Sequence, residues 1–190
     1  MTAAVRILLV SGSTRAGSTN TAVLRTAPLV APDDVSTSLY TGLTVLPAFN
    51  PDDDHDPLPP AVAELRAQLA GADAVLFCTP EYAGALPGSF KNLLDWTVGG
   101  GEIYRKPVGW INVSSVAAPT GGADAHASLA KVLGYVGADI VAGACARAPM
   151  TRDAVGPDGT VTDPEVRLQL AQVLRELASH RSEALREAAL

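Results

Sequence analysis

The feature that most constrains the fold is a regular alternation of short apolar runs with longer segments of helical period. The run VRILLVS at 5–11 is aliphatic with no polar alternation, which predicts a strand buried on both faces. The segment at 19–31 follows it with helical spacing, although Pro28 is expected to end or kink that helix. The same order of strand and helix recurs along the rest of the chain.

Four further strand and helix pairs follow the first. Predicted strands cover 35–41, 73–80, 106–115 and 139–149, and predicted helices cover 60–72, 88–99, 123–138 and 163–190. Asp163 is expected to cap the last helix, with Pro164 at the next position. Such alternation specifies a parallel sheet with helices on both faces, so we expect a three-layer α/β sandwich. Five parallel strands suit the flavodoxin-like order 2-1-3-4-5.

The bulk composition limits the class of protein. The length of 190 residues fits one domain over 1–190, and a hydrophobic content of 47% is too high for a disordered chain. No apolar run approaches the ~20 residues that a membrane-spanning helix needs. The N-terminal stretch resembles a signal peptide only weakly, so we expect a cytoplasmic protein with no membrane partner. A net charge of −6 argues against a nucleic-acid partner.

Residues that could suggest metal or disulfide chemistry have simpler interpretations. Cys78 and Cys145 each lie inside an apolar segment, which is typical of buried thiols. The acidic stretch DDDHD at 52–56 belongs to a polar, proline-rich segment at 50–60, which predicts a solvated surface loop. No metal site is therefore expected.

The tryptophans and two of the histidines receive structural interpretations. Trp96 and Trp110 are expected to be core or interface anchors, and Trp96 is a candidate subunit contact. His180 is expected on the exposed face of the last helix. His126 begins a helix near the expected site, where a helix-surface position is the first interpretation and a substrate-facing position is the alternative.

A turn rich in hydrogen-bond donors follows the first predicted strand. In SGSTRAGSTN at 11–20, Gly12 and Gly17 are expected to allow tight turning, and no acid is present. The donors and the single cation are Ser13, Arg15, Ser18, Thr19 and Asn20. At the carboxyl edge of a parallel sheet, with a helix N-terminus beside them, these groups predict a phosphate-binding cradle. The alternative is a polar turn in which Ser18 or Asn20 caps the helix.

A loop punctuated by glycine and proline follows the third predicted strand. The segment TPEYAGALPGSFKNLLDW at 79–96 contains Pro80, which ends the strand, and continues as a loop to Gly88. This loop faces the same sheet edge as the cradle. Its small residues can bring backbone N–H and C=O groups against a flat heteroaromatic ring.

Together these two motifs resemble the NADPH-dependent FMN reductase family, whose members include quinone, azo-dye and chromate reductases. The matching motifs are GSTRAGSTN at 12–20 and PEYAGALPGSFKNLLDW at 80–96. The resemblance extends to LPAFNPD at 46–52, to the segment 114–122 and to DGTVTDPEVRLQL at 158–170. It implies FMN as the cofactor and NADPH or NADH as the hydride donor.

The family pattern also implies a role for each matching residue. The residues that would bind the FMN phosphate are Ser13, Arg15, Ser18 and Asn20. The residues that would line the isoalloxazine ring, largely through backbone atoms, are Pro80, Glu81, Tyr82 and Ala83, with Gly84 helping the loop to approach. From the fourth loop, Ser114 or Ser115 would touch the flavin. Many relatives carry asparagine at the position of Ala83, so any side-chain contact of that asparagine to flavin or nicotinamide would be lost here.

The function that we expect is an NAD(P)H-dependent flavoprotein oxidoreductase. FMN would accept hydride and pass electrons to quinones, azo compounds, free flavin or similar acceptors, with no catalytic side chain required. The resemblance also implies a homodimer or homotetramer. A flavodoxin-type electron carrier without its own hydride donor is the alternative, but Arg15 and the loop after the third strand favour the reductase. A regulator or scaffold that has lost flavin is a third possibility, against which the intact phosphate motif argues.

Overall fold

A computed structural model describes residues 4–114 and 119–187. The five strands are β1 (Val5–Ser11), β2 (Val35–Tyr40), β3 (Ala74–Cys78), β4 (Pro107–Asn112) and β5 (Asp139–Arg147). All neighbouring strands pair in parallel, in the order β2-β1-β3-β4-β5. The predicted flavodoxin-like sheet is therefore confirmed.

The helices alternate with the strands as predicted. They are α1 (Thr19–Val30), α2 (Pro60–Gly71), α3 (Gly88–Asp95), α4 (Ala123–Tyr135) and α5 (Pro164–Glu187). Asp163 caps α5 as expected, because its Oδ1 atom accepts hydrogen bonds from the N–H groups of Glu165 at 2.8 Å and Val166 at 3.2 Å. No helix in the described part of the chain is long and apolar enough to cross a membrane.

The sheet separates two hydrophobic cores, and β1 contributes to both. Ile7 and Leu9 pack into the core beneath α1 and α5, whereas Leu8 and Val10 pack into the core beneath α2, α3 and α4. All four side chains are essentially inaccessible to solvent. The continuous aliphatic run is thus explained, because successive side chains of one strand point to opposite faces.

Two expectations about helix ends are wrong. Pro28 does not end α1, which continues to Val30, because a proline removes only its own N–H donor and the next turn still closes through the hydrogen bond from Ala31 N–H to the Ala27 carbonyl oxygen at 2.9 Å. The helix predicted over 88–99 ends at Asp95, so Val98 lies beyond the helix and is 61% exposed.

Trp96 is not the predicted subunit contact. Its side chain is fully buried within the chain, and its indole N–H donates to the Pro47 carbonyl oxygen at 2.9 Å. Its ring also meets Phe49 edge-on, with ring centroids 4.9 Å apart. The tryptophan therefore anchors the segment after β2 to the end of α3, and the alternative prediction of a core anchor is the correct one.

The acidic segment at 50–60 is more ordered than predicted. Pro51–Asp53 forms a 3-10 helix, and Asp54 accepts a hydrogen bond from Arg66 at 2.6 Å. Both side chains of this ion pair are at most 12% exposed, so Asp54 is not solvated. Among residues 4–114 and 119–187, no group of three or more His, Cys, Asp and Glu side chains could hold a metal ion.

Candidate flavin-binding site

A cavity of about 610 Å³ lies at the carboxyl edge of the sheet, where the loops after β1, β3, β4 and β5 meet. The predicted site residues that line it are Ser13, Arg15, Ser18, Thr19, Asn20, Pro80, Glu81, Tyr82 and Ser114. Ala83 and Gly84 form the tip of the loop beyond this lining, and Ser115 lies outside the described residues. The turn at 11–20 and the loop after β3 therefore line the same cavity. Met150, Thr151 and Arg152 also line it and were not predicted.

The cradle is built on the N-terminus of α1. Ser18 is the N-cap, since its hydroxyl oxygen accepts a hydrogen bond from the N–H of Thr21 at 3.3 Å. The N–H groups of Thr19 and Asn20 form no hydrogen bond with another described residue. The capping interpretation and the cradle interpretation are thus compatible, because a capped helix still presents its first N–H groups to an anion.

Arg15 closes one side of the cradle loop. Its Nη2 atom donates to the Gly17 carbonyl oxygen at 2.7 Å, and its backbone N–H donates to the Ser13 hydroxyl oxygen at 3.3 Å. The side chain is exposed and has no salt bridge within the described ranges. It therefore retains guanidinium donors for an anion.

Gly12 has a different role from the one predicted. Its φ angle is not positive, so the turn does not require glycine for its backbone conformation. A Cβ atom here would come within 2.5 Å of the Thr79 hydroxyl oxygen and 2.9 Å of the Phe90 ring. Glycine is needed because the cradle packs directly against the end of β3. Gly17 also lacks a positive φ, and a Cβ atom there would be accommodated.

Asn20 connects the start of α1 to the ends of two strands beneath the cradle. Its side-chain oxygen accepts hydrogen bonds from the Cys78 thiol at 3.3 Å and from the Val113 N–H at 3.4 Å. Burial raises the pKa of the Cys78 thiol, which keeps the thiol protonated and able to donate. The amide is only 4% exposed, so Asn20 fixes the position of the cradle relative to β3 and β4.

The loop after β3 ends in a tight two-residue turn. Tyr82 and Ala85 exchange two backbone hydrogen bonds, of 3.0 and 3.1 Å. Between them, Ala83 has φ 51° and Gly84 has φ 70°, which are the left-handed angles of a type I′ turn. Asparagine and glycine favour this turn, whereas alanine at φ 51° is less suited to it.

Glu81 connects the loop after β3 to the N-terminus of α4. Its carboxylate accepts a hydrogen bond from the Thr120 hydroxyl at 2.5 Å and from the N–H groups of Asp124 at 3.1 Å and Ala125 at 3.0 Å. These hydrogen bonds, above all the one from Thr120, hold the pKa of Glu81 below its usual value. The Glu81 side chain thus holds the loop after β3 against α4. This leaves the backbone of Glu81, which the resemblance assigns to the flavin ring, at the wall of the cavity.

Asn112, at the end of β4, was not predicted. Its amide N–H donates to the Thr79 carbonyl oxygen, while its own side-chain oxygen is buried and has no hydrogen-bond partner among the residues that the structure describes. A Cβ atom at Gly122 would overlap that oxygen, so the loop after β4 passes directly over it. The sequence feature that could have identified Asn112 is its position as a polar residue at the end of the apolar run of β4.

The structure changes the interpretation of His126 and agrees with that of His180. His126 is half-buried, and its Nδ1 atom accepts a hydrogen bond from the indole N–H of Trp110 at 3.0 Å. Burial lowers its pKa to about 4, so the ring is neutral at pH 7. Its side chain is not part of the cavity lining. His180 keeps 38% exposure, as expected of a helix-surface residue, and lies 2.7 Å from Asp139.

The donor set of the cavity fits FMN. Helix N–H groups, hydroxyls and one arginine suit a terminal monophosphate, and no acid lies in the cradle at 11–20. The braced turn after β3 offers main-chain groups to the edge of a flat ring. The chain's own chemistry therefore matches both ends of a flavin mononucleotide.

Comparison with known proteins agrees with this geometry. The family described as NADPH-dependent FMN reductase matches residues 5–150. The chain is 40% identical over 92 residues to an NAD(P)H-dependent FMN reductase of Pseudomonas aeruginosa, an alignment covering 48% of this chain and 49% of the relative. It is 28% identical over 186 residues to a probable NADPH:quinone oxidoreductase of Oryza sativa, covering 92% and 87%. The alignment with the quinone reductase of Escherichia coli K12 has 33% identity and spans about half of each chain, 50% and 52%.

A solved structure is similar over nearly the whole chain. The flavoenzyme NAD(P)H:(acceptor) oxidoreductase FerB of Paracoccus denitrificans superimposes with a TM-score of 0.81 at 28% identity, covering 94% of this chain and 97% of that one. Expectations of an oxidoreductase that uses FMN and NAD(P)H are thereby confirmed at the level of the family. Because the family match includes the cradle, the turn after β3 and all five strands, the chain belongs to the NADPH-dependent FMN reductase family.

Proposed function

We propose that this chain is a flavoenzyme that takes hydride from NAD(P)H and reduces small-molecule acceptors of the quinone class. The observation that carries the proposal is the meeting of the α1 cradle and the braced turn after β3 in one cavity. Relatives named as quinone reductases support the acceptor class. When bound, FMN supplies the redox centre.

The cradle residues would hold the phosphate end. Arg15 and the N–H groups of Thr19 and Asn20 would oppose the phosphate charge, assisted by the partial positive charge at the N-terminus of α1. Ser13 and the Ser18 hydroxyl would add donors at the same end. Asn20 would act mainly by fixing the cradle, because its side-chain oxygen already has two donors.

The ring end would be formed by main chain. Pro80, Glu81 and Tyr82 line the cavity, while Ala83 and Gly84 close the turn that holds them. Ser114 would contact the ring from the loop after β4. We assign no proton-transferring side chain, since His126 is neutral, hydrogen-bonded to Trp110 and outside the cavity lining.

We also propose that the chain forms a homodimer or homotetramer. With Trp96 buried, the candidate contact moves to a cleft that contains Val98, Tyr104 and Tyr135. These side chains are 61%, 65% and 85% exposed, an unusual degree for large apolar groups. Light scattering of the purified protein measures the mass directly, and a monomer at all concentrations would contradict this part of the proposal.

A purified sample tests the function in two steps. The absorption spectrum and chromatography of the heat-released cofactor should identify FMN, and release of mainly FAD would contradict the cradle assignment. The protein should then oxidise NADPH anaerobically when a benzoquinone is added. A flavodoxin-type carrier would retain FMN but fail to oxidise NADPH without a separate reductase, which distinguishes the alternative function.

A further inference from the structure

Asn112 lies where two paired strands separate. The register pairs of β3 and β4 end at Phe77 and Trp110. Two residues further along each strand, the link is a side-chain hydrogen bond, in which the Asn112 amide N–H donates to the Thr79 carbonyl oxygen. Asn112 and Thr79 are each only 1% exposed. The asparagine side chain therefore fixes the distance between the two strand ends inside the protein.

The other end of the Asn112 amide contacts the loop after β4. Its side-chain oxygen has no hydrogen-bond partner in the described part of the chain, and a Cβ atom at Gly122 would overlap it. Gly122 has φ 83° and is the N-cap of α4. The reverse orientation of the amide would place its oxygen against the Thr79 carbonyl oxygen, so the hydrogen bond determines the orientation. One amide is thus held between the end of β3 and the start of α4.

These contacts form a row that follows the cavity from one side to the other. At one end of the row, a Cβ atom at Gly12 would come within 2.5 Å of the Thr79 hydroxyl oxygen. The row therefore starts at the turn that contains the cradle. Each member either lines the cavity or directly precedes a residue that does, and the members are Gly12, Thr79, Asn112 and Gly122. A change in the width of this row moves the cavity walls.

We propose that Asn112 is a positioning residue that sets the width of the cavity at the ring end, through Thr79 and Gly122. The inference rests on the proposed function, because it concerns the walls assigned to the flavin ring. The side-chain amide supplies a donor that the backbone does not, since the N–H of Val113 is directed to Asn20. A buried oxygen without a donor lowers stability, so a side chain selected for stability alone would not carry one.

Flavin binding separates a positioning role from a purely structural one. Asn112→Leu removes the unpaired oxygen but leaves the Thr79 carbonyl oxygen unpaired instead, so the melting temperature of the apoprotein should change little. FMN and riboflavin should both bind about tenfold more weakly to this variant, because they share the ring. The absorption maxima of the bound flavin should also shift. A lower melting temperature with unchanged affinities and spectrum, or a loss of affinity restricted to FMN, would overturn the proposal.

A second variant keeps the shape of the amide and tests the hydrogen bond alone. In Asn112→Asp, a protonated carboxyl can donate to the Thr79 carbonyl oxygen, whereas an ionised one cannot. Burial favours the protonated form, so at about pH 5 the variant should bind riboflavin nearly as wild type does. Riboflavin is used because it has no phosphate that titrates. A variant as weak at about pH 5 as Asn112→Leu would contradict the positioning role.

Asn92 provides the matched control. Its side chain accepts from the Phe49 N–H at 2.7 Å and donates to the Pro47 carbonyl oxygen at 2.8 Å, and none of the three residues lines the cavity. Asn92→Leu should therefore lower the melting temperature and leave both flavin affinities unchanged. Equal loss of riboflavin affinity in the two leucine variants would show that the effect is not specific to Asn112 and would overturn the inference.

The two proposals fail in different ways. A protein whose affinity for both flavins depends on Asn112, but which oxidises neither NADPH nor NADH, would contradict the reductase function and leave the role of Asn112 supported. A protein that oxidises NADPH with a quinone, and whose flavin affinities and spectrum are the same in Asn112→Leu, would contradict the role of Asn112 alone.

Discussion

The carboxylate of Glu81 lies 3.0 Å from the backbone nitrogen of Ala125 and accepts its N–H. The hydrogen bond connects the loop after β3 to the first turn of α4, which follows β4. A negative charge at a helix N-terminus is stabilising, so this contact braces two walls of the cavity at once. Glu81 therefore supports the proposed flavin site by positioning its walls, because its carboxylate already accepts hydrogen bonds from protein donors.

Glu81→Gln should lower both stability and FMN affinity. The glutamine keeps the shape but loses the charged acceptor, a change worth about 1 kcal/mol at a helix N-terminus. For a chain of this length we expect a decrease in melting temperature of about 2–4 °C. Glu64→Gln, on the exposed face of α2, is the matched control. Equal melting temperatures and FMN affinities for wild type and Glu81→Gln would refute the bracing role.

The same residue predicts a pH dependence. The folded-state pKa of Glu81 is lowered from its ordinary value of 4.5, chiefly by the Thr120 hydroxyl. Its contribution to stability is therefore present above pH 4.5 and is lost as the pH falls through the lower folded-state pKa. Urea unfolding at several pH values should find wild type and Glu81→Gln converging below pH 4.5. A constant difference at all pH values would count against this linkage.

Ala83 occupies a left-handed conformation that suits other residues better. Ala83→Gly or Ala83→Asn should raise the free energy of unfolding by about 1 kcal/mol, because φ 51° is unfavourable for alanine. Ala85→Gly, at the other end of the turn, should give no such gain. Chemical denaturation measures all three variants, and destabilisation by both Ala83 substitutions would contradict the turn assignment.

Tyr82 provides a test of function with little effect on folding. Its side chain is 53% exposed and lines the cavity, so Tyr82→Ala should change stability by less than about 0.5 kcal/mol. Turnover of NADPH with a quinone should nevertheless decrease, since the variant alters the wall beside the ring. Leu168→Ala, on α5 and 66% exposed, lies outside both the cavity lining and the proposed subunit contact and is the control. Unchanged kcat and KM in Tyr82→Ala would remove Tyr82 from the site.

His126 predicts a second pH effect, of larger size. Its folded-state pKa is lowered from 6.5 to about 4 by burial. The neutral ring therefore stabilises the fold fully above pH 6.5, and this stability is lost as the pH falls from 6.5 towards 4. The loss should reach up to about 3 kcal/mol. His126→Asn keeps an acceptor for Trp110, and its unfolding free energy should depend less on pH than that of wild type. Identical pH dependence would contradict the burial effect.

The sheet could be predicted because its information is local. The aliphatic run of β1 indicates a strand buried on both faces whatever surrounds it, and the turn at 11–20 carries its donors in adjacent positions. The meeting of the two loops in one cavity could be inferred as well, since parallel topology brings the loop after β1 to the same edge as the loop after β3.

Other features depend on contacts between distant segments. Trp96 is buried because Pro47, far along the chain, accepts its N–H, and Asp54 leaves solvent because Arg66 lies opposite it. Arg152 reaches the cavity from a loop that carries no recognisable motif. Single-sequence patterns do not encode these pairings, which tertiary packing decides.

Arg15 tests the central claim, that the turn at 11–20 binds the FMN phosphate. A charge-assisted contact to phosphate is worth roughly 1.5–3 kcal/mol, so Arg15→Ala should weaken FMN binding by about ten- to a hundredfold at low salt. Its hydrogen bond to the Gly17 carbonyl lies at the exposed surface, so the stability of the apoprotein should change little. Arg105→Ala, which removes a cation at the opposite edge of the sheet, should bind FMN as wild type does.

The most direct measurement is a titration of FMN and of riboflavin into the apoproteins of wild type and Arg15→Ala. Riboflavin lacks the phosphate, so both proteins should bind it equally, while FMN should bind far more weakly to the variant. Equal FMN affinities in the two proteins, or an equal loss of FMN and riboflavin affinity in Arg15→Ala, would contradict the assignment of this turn as the phosphate cradle.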